Sequence, residues 1–65
     1  MKDISYLYVA ETLLQYCSEA MIDVSGQARE GEDMAMKRRC DNLTRLIKTE
    51  LKTVRMRIRQ TQEAV

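Results

Sequence analysis

The sequence has no histidine, no proline, no tryptophan and no phenylalanine, and only two cysteines and two glycines among its 65 residues. Each absence removes a class of function. Without histidine there is no side chain whose ordinary pKa supports proton transfer near neutral pH. No glycine-rich phosphate loop and no nucleophile motif occurs, and the neighbouring carboxylates Glu32 and Asp33 fall where helix capping accounts for them. The expectation is therefore a protein that is not an enzyme and has no catalytic residues. A structural zinc site takes four ligands, and Cys17 and Cys40 supply two; no metal and no cofactor is expected. No run approaches the ~18 apolar residues that span a bilayer. The start, Met1-Lys2-Asp3-Ile4, lacks the pattern of a secretory signal, so a cytoplasmic setting with reduced thiols is expected.

What is present favours helix. Ala, Leu, Met, Glu, Gln, Lys and Arg dominate, and these lose little freedom in a helix. Apolar residues recur at helical spacing from residue 4 to about 25. Leu7, Ala10, Leu14, Cys17, Met21 and Val24 follow one another at steps of 3, 4, 3, 4 and 3, a heptad seam. Asp3 or Ser5 is the candidate N-cap. The stretch 26–33 interrupts the pattern. Gly26 suits a helix C-cap and Asp33 the next N-cap, with residues 27–30 open as a short helical extension and a short third helical turn open in the connection. A second helix is read from about 34 to 62. Its stripe is Met36, Cys40, Leu43, Ile47, Leu51, Val54 and Ile58, an eleven-residue rhythm expected of a nearly straight helix.

These readings predict an all-α fold of one domain, an antiparallel two-helix hairpin that assembles into a helical bundle. Leu7, Leu14, Cys17, Met21, Leu43, Ile47, Leu51 and Val54 are expected in its seam. At 1.5 Å per residue the second helix, at ~43 Å, outreaches the first by about two turns, leaving Met56-Arg57-Ile58-Arg59 as an overhang. Cys17 and Cys40 are expected as small buried apolar groups, with their sulfurs near each other across the seam. A chain this short buries only about 60% of its unfolded surface. Of the usual supplements to so small a core, partner association is the one left open.

The first helix carries more apolar circumference than one partner helix covers. Val9, Leu13, Tyr16 and Ala20 widen its face to about half the helix at 100° per residue. These four are the candidate protein interface, either with a second copy or with another protein.

Charge is divided along the chain. Residues 1–33 carry two basic and seven acidic side chains, a net of −5; residues 34–65 carry nine basic and three acidic, a net of +6. Lys37, Arg38, Arg45, Lys48, Lys52, Arg55 and Arg59 fall on one arc of the second helix. Such a row contacts a phosphate backbone or an acidic protein surface, or serves only as the solvated face. The expected function is a non-catalytic adaptor, co-chaperone or small regulator. The alternative is a nucleic-acid-binding four-helix-bundle regulator that uses this basic arc. No small-molecule substrate is expected, nor a membrane partner: the apolar arc of the second helix is narrow and lacks the aromatics of an interfacial helix.

Overall fold

A computed structural model describes residues 3–63 and contains two α-helices, α1 (Ser5–Glu30) and α2 (Met34–Glu63), packed as an antiparallel hairpin. Its Cα envelope measures 51 × 14 × 10 Å, a slab one helix thick. Among the described residues no helix is long and apolar enough to cross a membrane.

The helix ends follow from local chemistry. Ile4 occupies the N-cap position of α1 and offers no side-chain bond. The oxygen comes instead from Asp3, whose Oδ1 accepts the Ser5 N–H at 2.9 Å. At the other end α1 runs five residues past the expected stop. Gly26 is helical and is not the C-cap, because Gln27, Ala28, Arg29 and Glu30 are good helix formers and Ala28 is half-buried. The helix stops at Gly31, whose N–H donates to Gln27 O at 3.0 Å. Glu32 then takes the left-handed conformation, φ 62°, and reverses the chain. Asp33 caps α2 as expected: its Oδ1 accepts the Met36 N–H at 3.0 Å. The connection is thus Gly31-Glu32-Asp33, and residues 27–30 are a helical extension of α1, with no separate third turn among the described residues.

This longer α1 corrects the register. Ser25 meets Asp41, Glu11 meets Arg55 and Tyr8 meets Gln62. The expected two-turn overhang is absent, since Gln62 Nε2 donates to the Tyr8 hydroxyl at 2.6 Å and Ile58 is buried. Cys17 and Cys40 lie at different levels, ~13 Å apart along the axis at 1.5 Å per residue, and only Cys40 is buried. They are not opposed across the seam, and Cys17 is not a core residue.

The seam itself is rotated from the one expected. Burial along α1 falls on Leu7, Glu11, Leu14, Ser18, Met21, Ser25 and Ala28, and along α2 on Lys37, Cys40, Thr44, Ile47, Leu51, Val54, Ile58 and Thr61. Both follow alternating steps of three and four, the heptad repeat of a coiled coil, rather than an eleven-residue rhythm in α2. Leu7, Leu14, Met21, Ile47, Leu51 and Val54 are on the seam as read. Cys17 and Leu43 are exposed, as are Val24 and Met36. Ser18 (4% exposed), Ser25 (7%) and Thr44 (9%) replace them.

Two of these buried hydroxyls find acceptors. Thr44 Oγ1 donates to Cys40 O at 2.8 Å, the i−4 bond open to threonine in a helix. Ser25 Oγ donates to Asp41 Oδ1 at 2.6 Å, and Lys37 Nζ donates to Asp41 Oδ2 at 2.7 Å. Hydrogen-bonded in this way, Thr44 and Ser25 cost little to bury.

That three-residue cluster ties α1 to α2 near the turn. The Lys37 ammonium, with the Ser25 hydroxyl, holds the Asp41 carboxyl below the ordinary carboxylate range. The Ser5 N–H does the same for Asp3. A carboxyl with a lowered folded pKa contributes stability above its unfolded pKa and loses it as pH falls through the folded value. Urea midpoints should therefore fall on acidification below about pH 4, and less steeply in Asp41→Asn. Ser25→Ala should cost about 1–2 kcal/mol at pH 7 by removing a hydrogen bond to a charged acceptor, read from the same urea curves.

Candidate functional site

Rotation of the seam onto Ser18 and Ser25 leaves the back of α1 apolar and uncovered. Tyr6, Val9, Leu13, Tyr16 and Ala20 succeed one another at steps of 3, 4, 3 and 4, a second heptad stripe. At 100° per residue it lies ~135° around the helix from the seam. Tyr6 is 60% exposed, Val9 56%, Leu13 59% and Tyr16 71%, while Ala20 is half-buried. The four residues singled out from sequence thus share one stripe, joined by Tyr6. Cys17 and Val24, read as core, are exposed between stripe and seam.

The hairpin's two broad sides differ in chemistry. One holds a shallow apolar depression where Met21 and Val24 of α1 meet Met36, Cys40 and Leu43 of α2. The other holds grooves lined by Gln15, Ser18, Lys48, Lys52, Arg55 and Arg59, and by Asp41, Thr44, Arg45 and Thr49 farther along.

The seven basic residues separate into two groups. Lys37 is half-buried and ion-paired with Asp41 at 2.7 Å. Arg55 donates to Glu11 Oε2 at 3.2 Å and to Gln15 Oε1 at 3.0 Å. Both are engaged within the hairpin, Lys37 along its own helix and Arg55 across to α1 through the register of the two helices. Arg38, Arg45, Lys48, Lys52 and Arg59 are exposed and form no ion pair among the described residues. Arg45 reaches only the Asn42 amide oxygen, at 3.4 Å. Arg38, Arg45, Lys52 and Arg59 recur every seven residues, ~10 Å apart along α2.

The two thiols should separate in a labelling experiment. Cys17 is exposed and Cys40 is 3% exposed, and reactivity follows access. Under native conditions and at low protein concentration, mass spectrometry after a maleimide pulse should show one modified thiol, mapped to Cys17, with the second appearing only in denaturant. Equal rates for both would contradict the seam described above.

Among the described residues, no three His, Cys, Asp or Glu side chains are grouped to hold a metal ion. Comparison with known proteins returned no matching family model, no matching curated protein and no matching solved structure.

Proposed function

We propose that this chain is a non-catalytic helical binding protein, an adaptor, co-chaperone or small regulator, that holds a protein through the back stripe of α1. The carrying observation is the second heptad, with Tyr6, Val9, Leu13 and Tyr16 exposed and Ala20 half-buried, on a helix whose other face is already used. A heptad of apolar side chains is the pattern one helix presents to another. The large members expose on the order of 500 Å² between them, given the size of aromatic and aliphatic side chains. Covering that area contributes on the order of 10 kcal/mol before the cost of association. The hairpin also has reason to need a partner, since among the described residues its buried apolar side chains are Leu7, Cys40, Leu51 and Ile58. The proposed setting is the cytoplasm, where Cys17 stays a free thiol.

A second reading has its own observation, the row of unpaired cations on α2. Arg38, Arg45, Lys48, Lys52 and Arg59 would follow a phosphate backbone without reading bases. About five phosphate contacts make log K fall with log salt at a slope near −4 to −5. Fluorescence anisotropy with a labelled duplex at two salt concentrations tests this, with Lys52→Glu as the sensitive variant. The protein-binding reading is tested by size measurement of the purified chain, alone and in complex, with Leu13→Asp and Tyr16→Asp as the sensitive variants. Salt-sensitive duplex binding lost in Lys52→Glu, together with protein association unchanged in Leu13→Asp and Tyr16→Asp, would reverse the order of the two readings.

A further inference from the structure

The stripe on α1 is built to meet itself. Its next heptad step after Ala20 is Asp23, so the full row is Tyr6, Val9, Leu13, Tyr16, Ala20 and Asp23. We propose that the occupant of this stripe is a second copy of the chain, its α1 antiparallel to the first about a two-fold axis between Leu13 and Tyr16. The inference rests on the protein-binding reading above and names its partner.

That axis uses all six positions. Leu13 packs on Tyr16 of the second copy, and Val9 packs on Ala20 of the second copy. Tyr6 brings its phenol hydroxyl to the carboxylate of Asp23 in the second copy, so the one charge in the row faces a hydrogen-bond donor. Each contact occurs twice, as a two-fold interface requires. Charge selects the antiparallel direction. A parallel pair would set Asp23 against Asp23 and Glu19 beside Glu19, like charges at short range. The antiparallel pair separates the two Glu19 residues by ~13 Å along the axis. The exposed area is also of the right size: two copies contribute ~1,000 Å², where specific protein interfaces begin. α2 lies across α1 from the stripe, so its basic row stays open to solvent in the assembly.

The test is complementation between two broken variants of the full chain. Leu13→Asp and Tyr16→Lys each place a charge in the interface. In the antiparallel pairing, mixing them sets the new carboxylate against the new ammonium while the other half of the interface stays native. Sedimentation should give wild type at twice the 7.6 kDa chain mass, each variant alone at the single-chain mass, and the equimolar mixture again at twice that mass. Should a variant alone lose helicity, the mixture should regain it by circular dichroism. A wild type that is monomeric and fully helical overturns the second copy and leaves the stripe to another protein. A mixture that fails to reassemble overturns the antiparallel pairing. A wild-type dimer untouched by either substitution overturns the stripe as a docking surface, and the proposed function with it.

Discussion

Leu51→Ala should remove most of the helical signal of this protein at 25 °C. Leu51 is 5% exposed, at the level of Gln15 and Ser18 of α1. Truncating a buried leucine to alanine costs about 2–5 kcal/mol, the spread reflecting how far the cavity collapses. A single core in a chain below about 70 residues rarely supplies more than 3–5 kcal/mol in total, so one substitution approaches the whole. Little is available to fill the gap, because Ser18 beside it on α1 is small and the larger neighbours, Leu14, Ile47 and Val54, are already held in the seam. Circular dichroism at 222 nm, followed through a thermal melt, reads the effect. A melt shifted by only a few degrees would mean that the seam is held elsewhere.

Leu13→Asp should have the opposite signature, a modest effect within one hairpin and a large effect between molecules. Leu13 is 59% exposed, so the lone hairpin loses almost no packing when it is replaced. In an assembled interface the same carboxylate would sit unpaired among Leu, Tyr and Val side chains, and an unpaired buried charge is costly enough to disfavour the complex altogether. Association should weaken by at least a hundredfold, which corresponds to ~3 kcal/mol at 1.4 kcal/mol per decade. Lys52→Glu, on the opposite broad side, should leave the protein complex intact. Sedimentation across a concentration series distinguishes the two variants. If Leu13→Asp assembles as the wild type does, the stripe carries no contact.

Much of the fold was legible because the signals are local. The three-and-four spacing of apolar residues, the absence of proline and the Asp33 cap define two helices and a reversal without reference to tertiary structure. The end of α1 was misjudged because Gly26 looks like a stop. A helix tolerates a single glycine when helix formers follow it and a later residue packs, as Ala28 does. The true reversal uses Glu32 in the left-handed region, a conformation that the residue type does not announce. The seam differs from the apolar stripe at two positions on each helix for a related reason. Ranking by hydrophobicity selects Cys17 and Leu43 over Ser18 and Thr44. The hairpin buries the smaller pair, with the Thr44 hydroxyl satisfied on the backbone. Val9, Leu13 and Tyr16 stood out on circumference alone. The spacing also sets Tyr6 in line with Leu13 and Ala20, and its 60% exposure places it on the uncovered stripe. The pairing of Lys37 with Asp41 was open to sequence reading as an i,i+4 pair. That of Arg55 with Glu11 depends on register, which no local pattern encodes.

The central claim is that α1 keeps an apolar stripe which its own chain does not cover. Hydroxyl-radical footprinting of the wild-type protein over a dilution series measures this side chain by side chain. Tyr6, Leu13 and Tyr16 should be protected in the assembled protein and become reactive together as dilution takes it to single chains, while Leu7, Leu51 and Ile58 remain protected for as long as the chain stays folded. Protection of Tyr16 and Leu13 in a folded single chain at every dilution would contradict the account, for the stripe would then be buried by the hairpin itself.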